Sequence, residues 1–286
     1  MPASQENPAD DRQPIMTSQT TQPTSLTFAF GKNWRKYLST LREEDILAAQ
    51  NSLLGLLQRK DLNGVSFLDA GCGSGIFSLA ALRLGAQRVV SIDVDPDSVA
   101  CATQLREHYG PFPQWEVHLR SVLDNASLNA LGSFDVVYSW GVLHHTGAMW
   151  DAIGNVARVV APGGQFYLSI YNDQGMISIF WKRAKRIYNQ SPKLIQLLIA
   201  AVYYVPVMLF AAIRGLSRLN TPDKLFTPER GMRLWYDTVD WVGGYPFETA
   251  RPEEILHFMR DRGFNLTEMR LKRGSGCNEL VFRAPV

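Results

Sequence analysis

Val65-Ser66-Phe67-Leu68-Asp69-Ala70-Gly71-Cys72-Gly73-Ser74-Gly75 is the stretch whose reading decides the architecture. An apolar run ends in an acid, and three glycines at alternate positions then lead into a stretch with helical patterning. A buried strand that drops into such a turn exposes backbone to a ligand, because glycine has no Cβ to keep the ligand away. Ser91-Ile92-Asp93 is a second apolar run ending in an acid, eighteen residues after Gly75. A glycine turn plus an acid at the next strand tip is how an open α/β sheet holds a nucleoside.

The same rhythm continues outward from this stretch. Strands are predicted over residues 65–70, 88–93, 115–119, 134–139 and 165–171, the fourth almost wholly apolar, as a strand covered on both faces should be. Helices are predicted over 74–84, from Pro96 to about residue 109, over 148–160 and over 252–262. A further amphipathic helix over 42–57 precedes them, with Ser39 as its cap. Residues 264–272 and 278–283 read as a final antiparallel pair. Alternating β and α units imply an α/β fold: a doubly wound, mostly parallel seven-stranded sheet with an antiparallel last strand. Pro162-Gly163-Gly164 is read as the stop of the helix before strand 5.

Composition bounds the partners. The chain has 286 residues, 46% hydrophobic, with a formal net charge of +2, so bulk charge gives no nucleic-acid footprint. Cys72, Cys101 and Cys277 lie far apart with no C-x-x-C pair, which reads as reduced thiols in a cytoplasmic protein. Residues 1–25 are rich in Pro, Gln, Thr and Ser, lack an apolar signal core and read as a disordered tail. The expected organisation is this tail, a nucleoside-binding domain over 26–175 and 246–286, and an α-helical insertion after strand 5 over 176–245.

The centre of that insertion, residues 194–213, contains no charged side chain, which meets the length rule for a membrane span. Topology opposes a span, because the last two strands must join a sheet begun before residue 171. Lys182, Arg183, Lys185, Arg186, Lys193, Arg214 and Arg218 flank the apolar run. Four readings stay open: a greasy lid, a homodimer face, contact with an anionic lipid surface through 176–219, and a true span.

The glycine spacing is D-x-G-x-G-x-G, not the dinucleotide G-x-G-x-x-G, and Asp69 sits inside the motif. A carboxylate there repels phosphate and suits an ammonium group. On these residues the chain resembles the class I methyltransferases that use S-adenosylmethionine (SAM). The resemblance covers about residues 41–286, with the insertion as its departure. It implies SAM as methyl donor and S-adenosylhomocysteine (SAH) as product. It places Asp69 toward the ammonium, directly or through water, and the backbone of Gly71 and Gly73 against the methionyl part. Cys72 and Gly75 complete that loop. Asp93, with Val94 beside it, is expected to grip the two ribose hydroxyls. The plainer readings are a turn cap for Asp69 and a helix cap shared with Asp95-Pro96 for Asp93. After strand 3 the family often carries an acid and a small apolar residue that read the adenine edge. Here Ser121-Val122 stands at that place, with Asp124 as a substitute.

Trp140-Gly141-Val142-Leu143-His144-His145-Thr146-Gly147 follows strand 4, where this fold brings the transferring methyl. Trp140 is expected to wall the donor. Methyl transfer from a sulfonium is an in-line displacement that needs alignment and loss of an acceptor proton. A histidine of near-neutral pKa is the natural base. His145 is the expected base and His144 its structural neighbour; in the alternative both only shape the loop. Tyr171 or Asp173 could orient the acceptor, or Asn172-Asp173-Gln174-Gly175 could be a simple turn. Trp241 and Tyr245, in a loop with Asp237 and Asp240, could close over the acceptor together with Phe30, Lys32 and Trp34. The spacing of Asp173, Asp237 and Asp240 matches no metal-ligand pattern, so no metal is expected.

The resulting expectation is a SAM-dependent methyltransferase acting on a small, apolar acceptor, foremost at a hydroxyl. The alternatives are an RNA or protein methyltransferase on the same fold, with residues 182–186 as its basic patch, and a membrane-associated scaffold that only binds SAM. The expected location is cytoplasmic, with peripheral contact on the inner membrane face.

Overall fold

The computed structural model describes residues 28, 30–38, 41–216 and 234–286. Residues 1–25, Ser39 and Arg218 lie outside the described residues, as do the side chains of Lys32, Arg214, Asp237 and Asp240.

Seven strands form one sheet: β1 (Ser66–Ala70), β2 (Arg88–Asp93), β3 (Trp115–Leu119), β4 (Phe134–Trp140), β5 (Val160–Tyr171), β6 (Asn265–Arg270) and β7 (Cys277–Arg283). Their order is β3-β2-β1-β4-β5-β7-β6. The first five pair in parallel, while β7 runs antiparallel to both β5 and β6. The order reverses between β1 and β4, so the carboxyl ends of these two strands flank the crevice where such sheets bind ligands.

Helices cover both faces. In chain order they are α1 (Phe30–Leu38), α2 (Glu43–Leu57), α3 (Ile76–Arg83), α4 (Pro96–Tyr109), α5 (Asn125–Asn129), α6 (Met149–Ala157), α7 (Met176–Gln190), α8 (Lys193–Leu216), α9 (Leu234–Gly243) and α10 (Pro252–Arg260). Leu68, Val90, Val137, Phe166 and Leu168 are wholly buried on the face under α6 and α10. Phe67, Val89, Val136 and Tyr167 are buried on the face under α2 and α3. Each such side chain contributes roughly 1.5–3 kcal/mol by leaving water, which is what the unbroken apolar strand runs encode.

Three sequence expectations are corrected. The strand expected at residue 165 begins at Val160, which pairs with Phe134 before the register shifts between Phe134 and Val136. Pro162-Gly163-Gly164 therefore lies inside an irregular strand start instead of ending a helix. The helix after the glycines starts at Ile76, because Gly75 sits at φ +81° and acts as its cap. The cap of α2 is Arg42, whose N–H donates to Asp45 Oδ2 at 2.9 Å. Among the described residues no helix is long and apolar enough to cross a membrane.

Candidate active site

The turn after β1 is built by positive φ. Gly71 and Gly73 stand at φ +87° and +53°, a region costly for residues with a Cβ. The Gly71 and Cys72 N–H groups donate to Ile92 O at 2.8 and 3.0 Å, which ties the loop to β2. A Cβ on Gly71 would lie 2.3 Å from Val142 Cγ1, and one on Gly73 would lie 2.9 Å from the Trp34 indole nitrogen. The turn thus lies between the loop after β4 and helix α1.

Asp93 closes the unit. Its Oδ2 accepts the Gly73 N–H at 3.0 Å and its Oδ1 accepts the Asp95 N–H at 2.9 Å. Burial pushes this carboxyl up to about 6, against the pull of the Asp95 and Gly73 amides. The capping duty falls to Asp95, whose Oδ1 accepts from Asp97 N and whose Oδ2 accepts from Gly31 N, both at 2.9 Å. With the Arg35–Asp97 ion pair of 2.6 Å, this second bond docks α1 on the β2–α4 turn. Val94 stands largely exposed beside it.

Asp69 is turned inward. It is 2% exposed and accepts the Ser78 hydroxyl at 2.6 Å. Ser78 in turn meets Ser91 at 2.6 Å, and the Trp115 indole donates to Ser91 at 2.7 Å. Burial pushes the Asp69 carboxyl up to about 7, with Ser78 opposing and Asp93 adding to the rise. The Asp69 carboxyl is thus engaged by Ser78 of α3 and not by the loop. Cys72 is buried, and its thiol is raised well above its usual range by that burial and then by Asp93 and Asp69.

Other expected donor residues are committed locally. Ser121 Oγ accepts from Leu123 N at 3.1 Å. Asp124 caps the unanticipated helix α5 by accepting from Ser127 N at 3.1 Å. Val122 is buried, and its carbonyl accepts from Asn155. The structure turns Trp140 toward β7, where its indole donates to Glu279 Oε1 at 2.6 Å.

The loop after β4 carries the histidines in a single 3₁₀ turn, Leu143–His145. His144 is wholly buried, and its Nδ1 accepts the Tyr171 N–H at 3.3 Å. The proton then belongs on Nε2, a buried atom with no hydrogen-bond partner among the described residues. His145 Nδ1 lies 2.6 Å from Pro246 O. A carbonyl can only accept, so Nδ1 carries the proton and Nε2 keeps its lone pair. Burial, then the neighbouring His145 and Lys185, hold His144 well below its usual pKa. Burial lowers His145 to about 3, against the Pro246 bond and helped by Lys185. Desolvation thus holds both rings below the near-neutral pKa that the sequence reading expected of a base.

Aromatic rings enclose this pair. Tyr171 lies 3.9 Å from His144 and 5.4 Å from His145, centre to centre, and Phe30 lies 5.0 Å from His145. Trp241 and Phe247 each lie 5.2 Å from Tyr171. Lys185 is a residue that sequence reasoning misread as surface charge. It is wholly buried and donates to Trp241 O, with its ammonium 4.5 Å from the Trp241 ring and 4.8 Å from the Phe247 ring. Its spacing with Ser178, Trp181 and Tyr188 on α7 was the available signal. Glu248, also unforeseen, accepts from Met149 N at 3.3 Å, and burial raises its carboxyl. Asp173 instead closes a turn by accepting from Gly175 N and Thr249 Oγ1 at 3.1 and 3.3 Å. The Tyr245 carbonyl accepts from Phe28 N at 3.0 Å, joining the segment before α1 to this box.

Residues 68–168, which span the glycine turn, the acid of β2 and the histidine loop, match the family described as methyltransferase domain. Residues 68–168 carry a methyltransferase domain. Over 115 residues it is 39% identical to a ubiquinone biosynthesis O-methyltransferase of Xanthomonas oryzae pv. oryzae, covering 40% of this chain and 46% of that protein. Over 63 residues it is 43% identical to a ribosomal protein L11 methyltransferase of Tolumonas auensis, covering 22% of each. The chain thus aligns with less than half the length of these curated relatives. A magnesium protoporphyrin IX methyltransferase from Synechocystis PCC 6803, solved with bound SAH, shares the fold at a TM-score of 0.52 and 18% identity, over 88% of this chain and 93% of that one.

The residues of the methyltransferase domain fit SAM as its cofactor. The glycines of the turn let Val142 and Trp34 close directly on its backbone, and the acid bonded to it, Asp93, suits a cationic donor better than a diphosphate.

Proposed function

We propose that this protein transfers the methyl group of SAM to a hydroxyl of a small, lipophilic acceptor held in the box of His145, Tyr171, Trp241 and Phe247. The observation that carries this reading is the contact between the two loops. Val142, three residues before His145, stands where a Cβ on Gly71 would fall, so the acceptor box adjoins the donor turn.

SAM supplies an electrophilic methyl group when bound. Gly71, Gly73 and Asp93 would hold it, with the buried Asp69 charge facing its ammonium through the loop. His145 would accept a hydrogen bond from the acceptor hydroxyl at Nε2 and so aim the oxygen. A ring with its pKa near 3 orients a hydroxyl better than it removes its proton. Alignment among these rings is then the main contribution of the chain, with the proton of the methylated oxygen passing to solvent. Lipid-surface contact of the insertion would bring such an acceptor within reach.

A nucleic-acid substrate has less support. Lys185, one of the four cations between residues 182 and 186, is buried, and the exposed three alternate with exposed Phe180 and Ile187. The test is purified protein with methyl-labelled SAM and a panel of phenols, quinols, sugars and RNA. Label on a phenol or quinol oxygen is expected. SAH binding without label on any phenol or quinol would overturn the proposal.

A further inference from the structure

Helices α7 and α8 are amphipathic with the wrong side out. On α7 the inward positions are Ser178, Trp181, Lys185 and Tyr188. The outward stripe at i, i+4, i+7 and i+11 is Met176, Phe180, Arg183 and Ile187, with Met176 79% and Phe180 64% exposed. On α8 the stripe Leu194, Leu198, Val202, Val205 and Leu209 also faces water, with Val202 74% exposed. More than half of the large apolar side chains standing exposed among the described residues lie between Met176 and Leu209. Apolar patches of this extent mark interaction sites.

Charge decides the occupant. Between Asp173 and Asp223 there is no acidic residue, while the whole chain holds 27 acids against 29 bases. Lys182, Arg183, Arg186 and Lys193 are all exposed, next to the apolar stripes. A second copy of the chain would bring like charges together. An anionic lipid surface accepts both features, with apolar side chains entering the acyl boundary and lysines and arginines meeting the headgroups.

We propose that the outward faces of α7 and α8 dock this protein on an anionic lipid bilayer, lying in the interface without crossing it. The proposal rests on the reading of a lipophilic acceptor and extends it to the surface from which that acceptor comes. The inner side of α7 lies against the aromatic box, through Lys185 over Trp241 and Trp181 at 5.4 Å from Trp241. One helix, about 10 Å across, would then separate the box from the lipid.

The experiment is flotation of the full chain with vesicles of phosphatidylcholine alone or of phosphatidylcholine mixed with phosphatidylglycerol. The protein is expected to float with the mixed vesicles, and less so as salt rises. The pair Phe180→Ser and Val202→Ser, and separately the set Arg183→Gln, Arg186→Gln and Lys193→Gln, should each lower binding about tenfold or more. Both variants should bind SAH like the wild type, which shows that they fold. Wild-type protein that stays at the bottom of the gradient overturns the proposal. So does variant protein that floats unchanged, or a dimer in solution that the serine pair dissolves. SAH binding and methyl transfer to a water-soluble phenol report on the activity separately, so docking can fail while the activity stands, and the reverse.

Discussion

Gly73 donates its backbone N–H to Asp93 Oδ2 at 3.0 Å, which ties the glycine turn to the tip of β2. A ribose gripped by Asp93 must share a carboxylate that already accepts two amides. Asp93→Ala should therefore lose the hydroxyl contacts and also loosen the turn, weakening SAH binding at least tenfold. A hydrogen bond to a charged group contributes about 1.5–3 kcal/mol, which agrees with that loss. Because burial raises the Asp93 carboxyl to about 6, its protonated fraction grows as pH falls through that value, and wild-type affinity should fall with it. Calorimetric titration of SAH between roughly pH 5 and pH 8, a window that brackets this pKa, checks both points. Constant affinity across that range would remove Asp93 from the ribose contact.

Gly71→Ala offers a cleaner test of the loop-to-loop contact. The new methyl meets Val142 Cγ1 at 2.3 Å, and φ is +87°. The clash should cost about 1–3 kcal/mol, and the left-handed backbone about 1–2 kcal/mol more. Val142→Ala in the same chain should restore only part of the first cost, because the Val142 Cβ it keeps lies 2.8 Å from the new methyl, and none of the second. Thermal unfolding of the three variants would show this split. Full rescue by Val142→Ala would mean that the backbone conformation imposes no strain.

The sheet was legible because each parallel strand is an apolar run covered on both faces, as with Val136 and Val137 facing opposite cores. The glycine turn was legible because three positive-φ glycines leave a spacing in sequence. Direction of side chains was not. Lys185 sits in a run of four cations and looks solvated until its helix face is known. Trp140 ends a strand beside the expected site, yet Glu279, a residue 139 positions on, captures its indole. Ser121 and Asp124 were read as adenine contacts, and local turns use both. Such choices depend on partners distant in sequence or on competing local hydrogen bonds, which composition and period do not record.

The buried acid beneath the turn should leave a signature in stability. Asp69 has a folded-state pKa of about 7 against 3.8 for the ordinary side chain. Between those values the folded form holds a proton that the unfolded chain has lost. The stability this proton contributes is fully present at low pH and disappears as pH rises through about 7. Asp69→Asn should therefore gain in melting temperature over the wild type as pH rises through this window, and the gain should level off above it. The ammonium of SAH favours the ionised carboxylate, so binding near pH 7 should release a fraction of a proton, seen as a dependence of calorimetric heat on the buffer. Heat that is independent of buffer would separate Asp69 from the ligand.

The two histidines should behave oppositely on substitution. His144 is wholly buried and receives the Tyr171 N–H, so His144→Ala leaves a cavity and an unpaired amide. A loss of about 2–4 kcal/mol of stability is expected, read by denaturant unfolding. His145 is held by one bond to Pro246 O with Nε2 left to accept. His145→Ala should spare stability more and lower kcat with an acceptor found in the panel, by roughly tenfold, the worth of one orienting hydrogen bond of about 1.4 kcal/mol. A general base would contribute about a hundredfold or more. With its pKa near 3, the His145 ring should show no NMR titration from pH 8 down to about pH 5. An inflection of kcat near pH 6.5, the ordinary histidine value, that disappears in His145→Ala would make this ring a titrating base after all.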